Sequence, residues 1–195
     1  MKKLALVAWT ILTLFGTLQL HAQEDIKTII GNGYTLLQYR SVDEFSAINI
    51  SGSLSLFITQ GDTMPITIDT DDNLFQYIIT EVKSGTLYIH PAENADLKHS
   101  KGSSIFISTP TLESVTAYNN AVVQGSKNIS GNQLTLNADN GSSITMNVNY
   151  KTIKINCGEA SLIKLKGHAN EITINNNTKG TIEIKKLQIQ NNTKH

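Results

Sequence analysis

The sequence predicts an all-β protein, a solenoid in which short strands stack turn upon turn. Three observations carry that expectation. Apolar and polar residues alternate with period two along nearly the whole chain after residue 22, which is the pattern of strands with one buried face. Val115, Leu134, Ile153 and Ile172 are spaced by a constant 19, as are Ile144, Ile163 and Ile182. A fixed period near 20 holding two or three strands means that no single turn buries its own apolar face, and that stacking buries it instead. The third observation is composition: Asn, Thr, Ile and Gly are plentiful, and there are only 3 prolines. That mixture suits strands joined by tight turns.

Residues 1–22 read as a signal peptide. Lys2 and Lys3 supply the positive start, Leu4 to Leu18 the apolar run, and Leu20-His21-Ala22 a small residue before the cut. Gln23 is the expected mature N-terminus, and residues 23–195 the expected single domain. Leu20 sits awkwardly three places before the cut, which leaves an uncleaved N-terminal anchor as the alternative. The apolar run is shorter than the roughly 20 residues that cross a bilayer, and no later stretch approaches it, so the mature chain is expected to have no membrane span. No cysteine near the cut offers a lipid anchor. Beyond residue 22 the chain carries 14 basic and 16 acidic residues, a formal charge of −2, interspersed without a basic stripe. A nucleic-acid partner is therefore not expected. Cys157 is the sole cysteine, so no internal disulfide is available.

Gly31-Asn32-Gly33 comes first after the leader and is no phosphate loop, because no helix is expected after it. Phe45, Ile48, Ile50, Leu54 and Leu56 have the same successive gaps as Leu112, Val115, Ala117, Ala121 and Val123, which lie 67 residues further on. The first half is thereby expected to belong to the same coil as the second. Strands are expected around Ile66 and Ile68, Leu87 and Ile89, and Ile105 and Ile107. A short helix is expected over Asn73 to Ile79, capped by Asp71 or Asp72. The regular second half then runs through Leu134-Leu136-Ala138, Ile144-Met146-Val148, Ile153-Ile155-Cys157, Ile163-Leu165, Ile172-Ile174, Ile182-Ile184 and Leu187-Ile189. One irregularity stands out, since Ile184 and Leu187 are three apart where an interval of seven separates Leu165 from Ile172. An open edge over residues 182 to 195 is expected to allow homo-oligomers. An all-β sandwich is the architectural alternative, although a sandwich does not require the constant 19.

The order of several short motifs resembles a known family, the putative auto-transporter adhesin, head GIN domain, of exported Bacteroidetes proteins. The motifs are Gly31-Asn32-Gly33, the run from Arg40 to Ile48, Ile50-Ser51-Gly52, Gln60-Gly61-Asp62, Asp72-Asn73-Leu74, Gly85-Thr86-Leu87-Tyr88-Ile89 and Pro110-Thr111-Leu112. The resemblance covers residues 29 to 184 and implies a right-handed, single-stranded parallel β-helix, exported to the periplasm or cell surface. It implies little chemistry. The turns Tyr118-Asn119-Asn120-Ala121, Asn140-Gly141-Ser142-Ser143 and Gly158-Glu159-Ala160-Ser161 depart mildly from that family's small-residue style.

No catalytic constellation is visible. Asp139 and Glu159 could neighbour one another as a glycosidase pair would, but an Asp at a turn ordinarily accepts backbone hydrogen bonds. Asp69 to Asn73 starts like a calcium loop, yet Leu74 and Thr80 stand where glycine and a bidentate Glu belong. His90, His99, His168 and His195 lack metal or triad spacing. Cys157 reads as a small buried hydrophobe in a column with Asn119, Ala138 and Asn176. No catalytic residue, metal ligand or cofactor is therefore expected. The candidate binding face is an outward ladder: Thr116, Thr135, Lys154 and Thr173 at intervals of 19, with Tyr118, Asn137, Asn156 and Asn175 beside them. Hydroxyl, amide and aromatic groups on one flat face suit a glycan, whereas stacked Asn side chains can equally serve only to bond one another. The expected function is a non-catalytic, adhesin-like module for glycan or envelope protein. A polysaccharide-acting enzyme and a purely structural envelope protein are the alternatives.

Overall fold

The computed structural model describes residues 25–175 and 179–191, so the expected signal peptide and cleavage site lie outside the described residues. Strands run in the order β1 (Lys27–Ile30), β2 (Thr35–Arg40), β3 (Ala47–Ser51), β4 (Ser55–Gln60) and β5 (Ile66–Asp71). A 3-10 helix (Asp72–Tyr77) follows, and then β6 (Ile78–Lys83), β7 (Thr86–Pro91), β8 (Ala95–Lys98), β9 (Ser104–Thr109) and β10 (Ser114–Tyr118). Four long strands complete the chain: β11 (Val122–Ala138), β12 (Ser143–Cys157), β13 (Leu162–Asn175) and β14 (Thr181–Asn191).

The chain does not form the single-stranded parallel β-helix expected of it. It is a curled, half-barrel-like sheet of mixed sense along β2-β5-β9-β4-β11-β10-β3-β7-β6, to which β12, β13 and β14 add successively beside β11. β2 with β5, β5 with β9, and β6 with β7 are antiparallel. The curl passes through β11, whose first residues pair with β4 while its last pair with β10. A separate parallel pair, β1 with β8, stands beside this sheet.

The two spacings in the sequence are nevertheless pairing registers. The interval of 67 is the offset between β3 and β10, with Ile48 opposite Val115, and between β4 and β11, with Leu56 opposite Val123. The interval of 19 holds for Leu134 opposite Ile153 and Ile153 opposite Ile172. It fails one strand earlier, because Val115 lies opposite Leu136, an offset of 21. The difference is absorbed at Gly125 to Lys127, where the register between β11 and β12 shifts from 21 to 19.

Each long strand joins two limbs that sequence periodicity treats as separate strands. In β12, Ile144, Met146, Val148 and Tyr150 are buried, then Ile153, Ile155 and Cys157, so the alternation slips by one at Lys151–Thr152. A flat strand would turn the second set to solvent. Both sets reach one core because the strand bends around it. Tyr150 marks the corner, its hydroxyl donating to the Leu112 carbonyl at 2.7 Å. Gly131 lies on its ring, and a Cβ there would stand 2.6 Å from Tyr150 Cε1.

The odd gap of three between Ile184 and Leu187 is a β-bulge. The step from Lys164 to Lys166 in β13 advances two positions, while the facing step from Glu183 to Lys186 in β14 advances three. The expected helix over Asn73 to Ile79 is a 3-10 turn that ends at Tyr77, with Ile78 and Ile79 already in β6. Asp71 precedes it without a side-chain capping bond.

Candidate functional site

Outward residues of the second limb bring five of the eight candidate binding residues together. Thr116 lies opposite Asn137, Asn137 opposite Asn156, and Asn156 opposite Asn175. Tyr118 stands two residues along the same face, opposite Ser51 of β3. These five line an open groove of ≈ 490 Å³ that continues to the turn residues Asp139, Asn140 and Gly158. Thr135, Lys154 and Thr173 form the neighbouring row, headed by Ser114 rather than Thr116. The expected Thr116–Thr135 alignment is thus corrected by the offset of 21.

A chain of side-chain hydrogen bonds holds the row. Asn156 Nδ2 donates to Asn137 Oδ1 at 2.5 Å, and Asn137 Nδ2 donates to Thr116 Oγ1 at 3.0 Å. An amide has two donor hydrogens and two acceptor lone pairs, so each bonded Asn keeps capacity facing the groove. The groove floor is tight and small. Gly158 lies against the Asp139 carboxylate, where a Cβ would meet Oδ1 at 2.0 Å. The turns at its end are held in the left-handed region by Asn119, Asn120, Asn140, Gly141 and Ala160.

The residues weighed for catalysis take structural parts. Asp139 Oδ1 accepts from the Asn140 N–H at 2.9 Å, as a turn Asp does, while Glu159 is exposed. Cys157 is buried opposite Ala138, and Ala138 is opposite Ala117, so the column expected to hold Asn119 holds Ala117. Burial raises the Cys157 thiol pKa, which opposes a nucleophilic thiolate. Asp71 accepts from the N–H groups of Gly33 and Ser100 and from the Ser100 hydroxyl. Asn32 Nδ2 donates to Asp72, and the Asn32 N–H donates to Asn73 Oδ1. The Asp71-Asp72-Asn73 oxygens therefore clasp the Gly31-Asn32-Gly33 segment. Burial pushes the Asp71 carboxyl up, but the hydrogen bonds from Ser100, Gly33 and its own backbone N–H outweigh it and hold its pKa below the ordinary value. His99 is shifted down by burial, against the opposing charge of Asp71. His90 and His168 bond the Pro91 carbonyl and Asn170, and among the described residues no three His, Cys, Asp or Glu side chains converge on a metal position.

Sequence reasoning missed an aromatic row on the other outer face. Tyr39 lies opposite Thr67, Thr67 opposite Phe106, and Phe106 opposite Phe57, whose ring stacks on it at 5.0 Å. Tyr39 is 66% exposed and Phe106 44%, with Leu37 exposed beside them. The period-two alternation was visible there, but which side faces solvent depends on antiparallel pairings that no repeat reveals.

The family model for the putative auto-transporter adhesin, head GIN domain, matches residues 44–194. The chain belongs to this family. Its fold is shared with crystal structures of Bacteroidetes proteins described as putative adhesins and as a putative lipid binding protein. A putative adhesin from Bacteroides fragilis is 19% identical with a TM-score of 0.79, the match covering 85% of this chain and 78% of that one. A putative lipid binding protein from Parabacteroides distasonis is 19% identical with a TM-score of 0.69, covering 86% and 80%. A putative adhesin from Parabacteroides merdae is 20% identical with a TM-score of 0.65, covering 86% and 79%. Among curated proteins none matches the sequence. Among the described residues of this head GIN domain, no helix is long and apolar enough to cross a membrane.

Proposed function

We propose that this head GIN domain is an exported, non-catalytic binding module of the periplasm or cell surface, and that the groove beside Thr116, Tyr118, Asn137, Asn156 and Asn175 contacts glycan. The observation that carries the reading is the hydrogen-bonded Asn–Asn–Thr row under an open groove with one aromatic side chain, Tyr118, at its edge. Hydroxyl-rich ligands match such a row, because preordered amides cost little entropy to engage and an aromatic face packs on a sugar ring. The adhesin description of the family supports a surface contact of this kind.

A glycan array probed with the protein and with Tyr118→Ala tests the reading. Tyr118 is half-buried at the groove edge, so the variant is expected to fold. The expected result is saturable binding of a glycan without product release, weakened at least tenfold by Tyr118→Ala, about the 1.4 kcal/mol of a lost aromatic contact. Binding indifferent to Tyr118→Ala would place the contact elsewhere. A second reading, contact with an apolar partner through the Tyr39–Phe106–Phe57 row, is favoured by its exposure and by the lipid-binding description of one structural neighbour.

A further inference from the structure

The chain is formally neutral, yet folding gathers positive charge on one face of its last two strands. The parallel register sets Lys166 of β13 directly opposite Lys186 of β14, about one strand spacing of ~4.8 Å away. The same register sets Lys164 opposite Glu183, and the bulge adds Lys185 to the group. All five line one groove of ≈ 500 Å³, and a second groove of ≈ 550 Å³ meets it at Lys186 and carries His168 and Asn149.

Glu183 is the one carboxylate in the first groove, and it is engaged. Lys164 Nζ stands 2.8 Å from it, and the bond to Lys164, aided by its charge and that of Lys185, holds the Glu183 carboxyl below its ordinary value. One lysine is thereby neutralised. Lys166, Lys185 and Lys186 have no ion-pair partner among the described residues, which leaves a formal +3. Like charges set directly opposite on neighbouring strands destabilise the pair, and an oxyanion seated between them converts that repulsion into two charge-assisted hydrogen bonds. Thr145, opposite Lys164, adds a hydroxyl donor to the lining of the first groove.

We propose that the groove between β13 and β14 binds a phosphate group, with Lys166 and Lys186 on its oxygens and Lys185 at its rim. A phosphate monoester carries close to two negative charges at neutral pH, and the single charge of a phosphodiester headgroup is still shared by two oxygens that can each meet one lysine. The site lies on the first limbs of the long strands, across the bend from the Asn–Thr row, and does not rest on the glycan reading.

Two-dimensional NMR of the 15N-labelled protein tests it, titrated with inorganic phosphate and with vesicles of phosphatidylglycerol in phosphatidylcholine against phosphatidylcholine alone. Saturable shifts centred on the amides of residues 164–168 and 181–188 are expected. They should weaken about tenfold or more in Lys166→Gln/Lys186→Gln and stay unchanged in Lys27→Gln, which lies on β1 in the separate two-stranded pair. Binding of phosphatidylglycerol vesicles without free phosphate identifies a lipid headgroup, and free phosphate without vesicles a soluble ester; both uphold the site. In chloride, where no phosphate bridges the pair, Lys186→Gln should melt at a higher temperature than the parent protein. Failure of both probes to bind, shifts spread evenly over Lys27, Lys98 and Lys151, or shifts that survive the double substitution would overturn it.

Discussion

Asp71 shows how one residue sets the start of the fold. It is buried, it lacks a cationic partner among the described ion pairs, and its oxygens take three donors from two separate segments. Gly31 must be glycine beneath it, because a Cβ would stand 2.2 Å from Asp71 Oδ2. Asp71→Asn keeps the shape but replaces one acceptor oxygen by an amide, so at pH 7 it should lose about 1–3 kcal/mol in denaturant unfolding. Asp71 and His99 both have lowered pKa values, and each makes stability depend on pH. The Asp71 contribution is complete above its unfolded value near ~3.9 and is lost as pH falls through the lower folded value. His99 is held neutral by burial, so its contribution is present above ~6.5 and is lost below that, as the unfolded chain takes up the proton first. Stability measured from pH 8 to 2 should therefore fall in two stages. His99→Gln should remove the upper stage and Asp71→Asn should diminish the lower, to which the lowered Glu183 carboxyl also contributes; a single stage untouched by either variant would contradict these assignments. Arg40 has a comparable part, its guanidinium donating to the Phe75 and Ile78 carbonyls at the end of the 3-10 turn.

At the scale of the element, the long strands are stabilised by alternation on both sides of their bends. Ile155 is fully buried between Leu136 and Ile174, while its neighbour Lys154 is exposed. Ile155→Asp should abolish cooperative folding, because an unpaired buried carboxylate costs several kcal/mol against a total stability of about 5–15 kcal/mol. Lys154→Asp should shift the melting temperature by no more than a surface change does. Comparable losses in the two variants, read by circular dichroism melts, would contradict the facing of β12. This facing was legible in the sequence, as were the offsets of 19 and 67, since parallel neighbours keep a constant difference in residue number. Antiparallel neighbours keep a constant sum instead, so a search for repeats is blind to β2 with β5, β5 with β9 and β6 with β7. One local signal was there to read. Ser84-Gly85 joins β6 to β7 with φ of 49° and 73°, the two-residue hairpin that demands left-handed backbone at both positions.

Across the whole molecule, the mixed first half closes the curl and the parallel second half extends it. That division sets where surfaces of different chemistry fall. The Asn–Thr row and the lysine groove occupy the two limbs of the long strands, and the aromatic row occupies the antiparallel end. The composition of the Asn–Thr row was legible from period-two spacing, but its alignment was not, because the residues absorbed at Gly125 to Lys127 leave no mark on the apolar pattern. The lysine groove was hidden for a related reason: Lys166 and Lys186 are 20 apart, and only the bulge makes them neighbours. β14 pairs with β13 alone among the described residues, and it carries that bulge with Lys185 and Lys186, features that oppose pairing of an open edge with another chain.

The reading as a binding module stands or falls on where a glycan touches the protein. Chemical-shift mapping with the best-bound glycan of the array is the direct measurement. Saturable shifts should concentrate on Thr116, Tyr118, Asn137, Asn156 and Asn175, including the Asn137 and Asn156 side-chain amides, with the glycan recovered intact. Shifts confined to other faces, or release of a shortened glycan, would contradict it.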